Sequence, residues 1–214
     1  MQRRKFLRGG LLGLGGLMAS RGLKGQTPND DFNAILQDRV AQADLQGSVF
    51  DLATDGIPKV RIALIGLGNR GSSLIDMLEW LIGEGHAEIT AISDINPEKI
   101  DKAQARIGQF QKNAPQVFTG SDGAWKTACN TEIADMALIC TPWEWHAPMA
   151  IHAMRQGLHA ASEVPIATTY QETIDLVQTA EETRRHCIML ENCCYNGEEL
   201  WIMQMIKEGV FGSL

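Results

Sequence analysis

The chain has 214 residues and a formal net charge of −7, and this length allows one or two domains. The acidic balance argues against nucleic acid as the main partner, because no basic stripe is available to neutralise phosphates. The five cysteines are odd in number and lack Cys-x-x-Cys spacing, so we predict neither a metal centre nor a disulfide framework.

The first 25 residues have the features of a targeting segment. The stretch Gln2-Arg3-Arg4-Lys5-Phe6-Leu7-Arg8 resembles a twin-arginine export signal, and the run 9–19 is too short and too rich in glycine to span a membrane. We therefore expect export by the twin-arginine route to the periplasm, without stable membrane insertion. A disordered basic tail is the alternative. Residues 26–57 are predicted to form a polar linker with a weak helix at 30–45.

From residue 58 the pattern alternates between short apolar strands and amphipathic helices, which is typical of a parallel sheet covered on both faces. The sequence therefore predicts an α/β fold, a doubly wound parallel sheet of the Rossmann type, over residues 58–196. Strands are expected at 60–65, 89–93, 116–118, 134–140, 158–162 and 187–190. Helices are expected at 71–82, 97–112, 122–129, 147–156, 170–184 and 197–207.

A Gly-x-Gly-x-x-Gly turn joins the first strand to its helix. Gly66 permits the tight turn, Gly68 lets the backbone approach a diphosphate, and Gly71 lets the helix pack close to the strand. The free N–H groups of that helix then face the anion. Asp94 ends the second strand, where a carboxylate accepts hydrogen bonds from an adenosine ribose and repels a 2′-phosphate, which favours NAD over NADP. The alternative role for Asp94 is that of a helix N-cap before Pro97, and one carboxylate can serve in both roles.

Polar and aromatic residues follow three later strands, at the edge where ligands meet a sheet of this type. Each has a structural alternative, since a histidine can cap a helix, a tryptophan can belong to the core and a glutamate can be a solvated loop acid. Three such clusters beside a nucleotide turn nevertheless favour a binding site. They are Trp143, Glu144, Trp145 and His146 after the fourth strand, Glu163 and Val164 after the fifth, and Glu191 and Asn192 after the sixth.

The order of these motifs resembles the Gfo/Idh/MocA group of NAD(P)-dependent sugar oxidoreductases. Within that group, three elements resemble glycoside hydrolase family 109, the NAD-dependent α-N-acetylgalactosaminidases. They are Thr141-Pro142-Trp143-Glu144-Trp145-His146, Ala124-Trp125-Lys126 and Met189-Leu190-Glu191-Asn192-Cys193-Cys194-Tyr195. The resemblance covers residues 58–214 and implies NAD as the cofactor. It implies NAD contacts from Asn69, Arg70, Asp94, Trp143, Glu144, Trp145, His146, Glu163, Val164 and Asn192.

Val164 is a departure from the typical dehydrogenases of this group, which have Glu-Lys-Pro where this sequence has Glu163-Val164-Pro165. Their lysine is placed to move the proton of the oxidised hydroxyl, and valine cannot do acid–base work. The difference favours the glycosidase branch, although Pro165 stands where that branch usually has a small residue. The implied mechanism is transient oxidation of the sugar by bound NAD and elimination of the glycosidic bond.

Two other functions stay open, a periplasmic NAD-dependent sugar dehydrogenase and a non-catalytic nucleotide-binding remnant. The resemblance also implies a substrate domain after the nucleotide domain, and we expect it to be absent or truncated here, with residues 197–214 forming a helix that leads into it. The substrate is then a glycan or small sugar, and no catalytic residue is assigned. The last helix carries apolar side chains that the second domain, or pairing into a homo-oligomer, would cover.

Overall fold

The structure is a computed structural model that describes residues 52–212 together with residues 34, 37, 38, 41 and 49. The predicted export segment and most of the predicted linker lie outside the described residues. The described members of the predicted helix at 30–45 are helical; they are Ala34, Gln37, Asp38 and Ala41. In the described part of the chain, no helix is long and apolar enough to cross a membrane.

Six strands and six α-helices follow one another from residue 60. The strands are β1 (Val60–Ile65), β2 (Ala87–Ser93), β3 (Gln116–Phe118), β4 (Met136–Ile139), β5 (His159–Ser162) and β6 (Cys187–Met189). The helices are α1 (Asn69–Gly83), α2 (Pro97–Ile107), α3 (Trp125–Ala128), α4 (His146–Arg155), α5 (Tyr170–Thr183) and α6 (Gly197–Lys207). Two single-turn 3-10 helices, Trp143–Trp145 and Cys193–Tyr195, complete the elements between residues 60 and 212.

All five strand pairings are parallel, and the sheet order is β3-β2-β1-β4-β5-β6. The first strand, β1, lies in the middle of the sheet, and β2 and β3 follow it outward on one side. The chain then returns, and β4 pairs with the other side of β1. This order confirms the predicted doubly wound sheet. It also creates a switch point between β1 and β4, where the connections leave the sheet in opposite directions and ligands bind in folds of this kind.

Alternate residues of the strands divide the core between the two faces of the sheet. Ile62 and Leu64 face the layer of α1 and α2, whereas Ala63 and Ile65 face the layer of α3, α4 and α5. Small residues dominate the second layer, in which Ala150 and Ala153 of α4 are fully buried. The helices of that layer therefore lie close to the strands, because close-packed interiors leave few voids.

Helix boundaries differ from the predicted ones where local chemistry overrides the apolar pattern. The second helix ends at Ile107 and not at residue 112, with Gly108 as its C-cap. The Gln111 side chain then pairs with the backbone N–H and C=O of Ile89, at 2.9 Å each, and holds the chain against β2. The fifth helix ends at Thr183, because Arg184 adopts a left-handed conformation with φ +55°.

His159 at the start of β5 makes stability dependent on pH. Its Nδ1 accepts the backbone N–H of His186 at 3.0 Å, and the two imidazole rings lie 5.1 Å apart. Burial, and then the charges of His186 and Arg185, lowers the pKa of His159 below its ordinary value of 6.5, against an opposing effect of Asp135. The folded protein therefore binds this proton less tightly than the unfolded chain does.

We expect the unfolding free energy to have its full value above about pH 6.5 and to fall as the pH drops below it towards the lower folded pKa. Urea unfolding at stepped pH measures this slope. His159→Asn, whose amide oxygen can still accept the N–H, is expected to flatten the slope, leaving a residual part from His152, whose pKa burial also lowers. His86→Asn on the surface is the control. An unchanged slope in the His159 variant would contradict the assignment.

Candidate functional site

A cleft of about 470 Å³ lies at the switch point, along the carboxyl ends of β1, β2 and β4. We refer to it as the edge cleft. It is formed by the turn after β1, the start of α2, the loop after β3 and the loop after β4. The lining residues are Ile65, Gly66, Gly68, Ser93, Asp94, Ile95, Lys99, Ser121, Asp122, Trp125, Cys140, Thr141, Pro142, Trp145 and Met149.

Two glycines of the turn are required by the packing of the chain itself. Gly66 has φ +90°, and a Cβ there would lie 2.7 Å from the backbone carbon and oxygen of Cys140. A Cβ on Gly71 would lie 2.0 Å from the carbonyl oxygen of Gly66, which no conformational adjustment of a side chain relieves. Because Gly66 has no side chain, the turn can lie against the backbone of Cys140 just after β4. Because Gly71 has none, α1 can pack close to the end of β1.

Gly68 differs from the other two glycines, because the chain leaves open space where its side chain would be. The nearest atom to a Cβ at Gly68 is the Lys99 ammonium nitrogen, at 3.9 Å. Gly68 is also the N-cap of α1, which has no side-chain cap and no acidic residue in its first turn. Open space, backbone N–H groups and the positive end of a helix dipole therefore meet at one point, and this arrangement fits a diphosphate.

Asp94 lies at the end of β2 and is bound to the glycine turn. Its Oδ2 accepts the backbone N–H of Leu67 at 2.7 Å, and its Oδ1 accepts the N–H of Asn96 at 2.8 Å. The N-cap of α2 is Asn96, whose side chain accepts the N–H of Glu98 at 2.9 Å. The alternative of Asp94 as the N-cap is therefore wrong, since Asn96 already takes that position. Asp94 faces the edge cleft, where an adenosine ribose would meet it.

Asp94→Ala is expected to raise the dissociation constant for NAD by about ten-fold or more, the order of one hydrogen bond to a charged group. Calorimetric titration of the variant with NAD measures this change. Asp101→Ala, an exposed acid on α2, is the matched control and is expected to leave the affinity unchanged. Equal affinities for the Asp94 variant and the unaltered chain would contradict this placement.

Arg70 and Glu163 form an ion pair beside the edge cleft. The Arg70 Nε donates to the Glu163 Oε1 at 2.6 Å, joining the first turn of α1 to the end of β5. Burial, and then the charge of Glu163, raises the pKa of the nearby Cys140 thiol to about 12, while Arg70 opposes the rise. Cys140 is therefore a neutral thiol at physiological pH, which makes it a poor nucleophile.

His146 is buried and joins two loops of the site. Its Nε2 lies 2.7 Å from the carbonyl oxygen of Thr141, and its Nδ1 lies 2.8 Å from that of Pro165. The ring thereby links the loop after β4 to the loop after β5. Each ring nitrogen thus lies within hydrogen-bond distance of a carbonyl oxygen, and the NAD contact of His146 stays a prediction.

The other predicted contacts occupy different positions around the edge cleft. Trp145 lines it, while Trp143 is 64 % exposed on the same 3-10 turn and Glu144 is exposed between them. Val164 is half-buried next to the ion pair, and Asn192 is exposed beyond β6. The structure thus brings Gly66, Gly68, Asp94 and Trp145 into one lining, with Asn69, Arg70 and Gly71 in the adjoining first turn of α1.

Several lining residues were not among the predicted contacts. Ser121 and Asp122 follow β3, and the same argument from strand ends that selected the other clusters applies to them. Lys99 lies in the first turn of α2, just after Asp94, and no motif in the sequence marks it as a binding residue. Trp125 of α3 is buried, and its indole N–H has no hydrogen-bond partner among the described residues. The described residues contain no group of three or more His, Cys, Asp or Glu side chains that could hold a metal ion.

The switch point, the glycine turn with open space at Gly68, and the acid at the end of β2 together define a Rossmann-type dinucleotide-binding domain. The cofactor of this domain is NAD. The chain belongs to the oxidoreductase family with an NAD-binding Rossmann fold, the Gfo/Idh/MocA family, whose profile matches residues 60–191.

Curated relatives extend the comparison beyond the family profile. The chain is 44 % identical over 169 residues to an α-N-acetylgalactosaminidase of Bacteroides fragilis, covering 79 % of this chain and 39 % of the relative. It is 39 % identical over 188 residues to a glycosyl hydrolase family 109 protein of a Shewanella species, covering 88 % and 40 %. The chain therefore spans about two fifths of the length of these relatives.

Solved structures show the same fold. The WlbA dehydrogenase of Bordetella pertussis, in complex with NADH and UDP-GlcNAcA, matches with a TM-score of 0.61 at 25 % identity, over 72 % of this chain and 43 % of that chain. The scyllo-inositol dehydrogenase of Lactobacillus casei, with bound NAD(H) and scyllo-inositol, matches with a TM-score of 0.62 at 18 % identity, over 72 % and 43 %.

Proposed function

We propose that this domain is the nucleotide-binding part of an NAD-dependent glycosidase of the α-N-acetylgalactosaminidase type, acting on a glycan or small sugar. The observation that carries the proposal is Val164, which stands beside Glu163 where a dehydrogenase of the resembled group would have a lysine. Valine has no titratable group, so this position cannot take the proton of an oxidised hydroxyl. The similarity to curated glycosidases points to the same branch.

Different residues of the edge cleft are suited to bind different parts of NAD. The N-terminus of α1 and Gly68 would hold the diphosphate, and Asp94 would hold the adenosine ribose. The ion pair of Arg70 and Glu163, together with His146, fixes the loops on which Trp145 and Val164 lie. When bound, NAD supplies reversible hydride exchange with the sugar, a reaction that no side chain of this cleft can provide.

The test is incubation of the NAD-loaded protein with a nitrophenyl α-N-acetylgalactosaminide. Release of nitrophenol without net accumulation of NADH supports the glycosidase. Steady accumulation of NADH with free sugars would instead favour a sugar dehydrogenase. Tight NAD binding with no turnover of any sugar would favour a nucleotide-binding domain without activity of its own.

We also propose that the protein is exported by the twin-arginine route, on the basis of Arg3 and Arg4 and the glycine-rich run that follows them. Replacement of both arginines by lysine keeps the charge while removing the guanidinium pair. Cell fractionation is expected to find the unaltered protein in the periplasm and the variant in the cytoplasm. An equal distribution of the two would contradict the proposal.

A further inference from the structure

Cys193 and Cys194 are adjacent thiols on the 3-10 turn that follows β6. Both residues are exposed, and neither belongs to the lining of the edge cleft. The turn spans Cys193–Tyr195 and lies between the last strand of the sheet and α6. Of two neighbouring thiols, one can attack a sulfur reagent and the other can complete the reaction, so this pair is a candidate site of thiol chemistry.

The other three cysteines of the chain are less accessible to such reagents. Cys129, Cys140 and Cys187 are buried or half-buried. Burial is the main cause that raises the pKa of Cys129 and of Cys140 to about 12, and the pKa of Cys187 to about 11. Because the thiolate is the reactive form, these three thiols react slowly at physiological pH. Thiol chemistry on the folded protein is therefore directed to Cys193 and Cys194.

The conformation of the turn does not suit a bond between the two sulfur atoms. Adjacent side chains of a 3-10 helix point about 120° apart around its axis, since it has about three residues per turn. Consecutive Cα atoms also lie only about 3.8 Å apart, whereas the Cα atoms of an ordinary disulfide lie about 4.4 to 6.8 Å apart. Formation of that bond therefore requires the backbone of Cys193 and Cys194 to leave the 3-10 conformation.

The same turn holds the start of α6. The carbonyl oxygen of Cys193 accepts the backbone N–H of Asn196 at 3.2 Å, and the carbonyl oxygen of Asn196 accepts the N–H of Leu200 at 3.1 Å. Asn196 is both the C-cap of the turn and the N-cap of α6. Among the described elements, the turn is the one with which α6 makes its main contacts. A change in the turn is therefore transmitted directly to α6.

We propose that Cys193 and Cys194 form a modification site for low-molecular-weight disulfides, at which oxidation to a vicinal disulfide opens the 3-10 turn and releases the start of α6. One thiolate attacks a sulfur of the small disulfide, which forms a mixed disulfide and releases one small thiol. The second thiolate attacks the sulfur of the first cysteine, which forms the bond between the two residues and releases the second small thiol. The pair loses two electrons and two protons, and the small disulfide gains them. The inference does not depend on the proposed glycosidase function.

The first test is incubation of the full chain with excess oxidised glutathione, followed by unfolding in acid, alkylation and mass spectrometry. In the unaltered protein, the peptide that contains both residues is expected to lose the mass of two hydrogens. The buried and half-buried cysteines are expected to be alkylated. Cys193→Ser and Cys194→Ser are the matched variants, because each keeps one thiol of the pair and can form only the mixed disulfide. Dithiothreitol is expected to reverse both products.

The second test is amide hydrogen exchange before and after oxidation, which measures the effect on the fold. Exchange of the Asn196 and Leu200 amides is expected to become about ten-fold faster, the order of one lost backbone hydrogen bond each. The amides of α2, which connects β2 to β3, are expected to be unchanged. Reduction by dithiothreitol is expected to restore the slower exchange.

Three results would overturn the proposal. The modification site is refuted if the pair does not react, if it stops at a mixed disulfide, or if a buried thiol reacts first. A vicinal disulfide that leaves exchange at Asn196 and Leu200 unchanged would refute the opening of the turn. Fast exchange of both amides in the reduced protein would refute the turn itself and, with it, the proposed effect on α6.

Discussion

Gly71→Ala is expected to destabilise the domain by about 3 kcal/mol and to abolish NAD binding. The added Cβ would lie 2.0 Å from the carbonyl oxygen of Gly66, and both atoms belong to backbone that is fixed by α1 and β1. The helix can accommodate the methyl group only by moving away from the strand, which moves its N–H groups away from the edge cleft. Urea unfolding followed by circular dichroism, with NAD titration of the folded fraction, measures both effects.

Gly83→Ala is the matched control for this variant. Gly83 lies at the other end of the same helix, and a Cβ there would have no atom within 4 Å. Alanine is favoured over glycine within a helix, so this change is expected to leave stability unchanged or to raise it by up to about 1 kcal/mol. Similar losses at both positions would show that α1 tolerates no alanine for reasons other than its contact with Gly66.

Gly68→Ala is expected to lower the affinity for NAD without lowering the free energy of unfolding. Its backbone, at φ −68° and ψ −163°, is in a region open to alanine, and the nearest atom to the new Cβ is the flexible end of Lys99 at 3.9 Å. The fold should therefore be preserved. The methyl group would occupy space that a diphosphate needs, and we expect NAD affinity to fall by roughly two orders of magnitude.

Calorimetric titration measures the affinity of the variant for NAD, and urea unfolding in the absence of NAD measures its stability. Gly56→Ala is the control for replacing a glycine by alanine away from the cleft, because a Cβ at Gly56 would have no atom within 4 Å. It is expected to change neither quantity. Retained NAD affinity in the Gly68 variant would mean that the cofactor does not approach the turn there. A large loss of stability would mean that Gly68 serves packing and not binding.

The fold could be predicted from the sequence because its main signals are local. The apolar run 60–65 and the glycines after it specify a strand, a turn and a close helix within a dozen residues, and β1 has the predicted bounds. The parallel order followed from the alternation of strands and helices. The end of α2 differs from the predicted one, because Gln111 does not continue the helix and its side chain bonds instead to Ile89, in a strand 22 residues earlier.

The position of the edge cleft could be predicted from the sequence, but the contacts between its residues could be predicted only in part. Glycines, an acid and strand ends are sequence signals, and they selected Gly66, Gly68 and Asp94 of the cleft lining. The burial of His146 between two carbonyl groups, and the approach of Lys99 to Asp94, depend on how separate loops meet in space. No spacing in the sequence encodes those distances.

The ion pair between Arg70 and Glu163 has a consequence for when this edge of the sheet is completed during synthesis. The two residues are 93 positions apart in the chain, so the contact forms only after β5 has joined the sheet. A peptide ending after β2 would contain the glycine turn and the acid yet lack this tether. The contact between the first turn of α1 and the end of β5 is therefore complete only after the chain has been made as far as residue 163 and β5 has paired with β4.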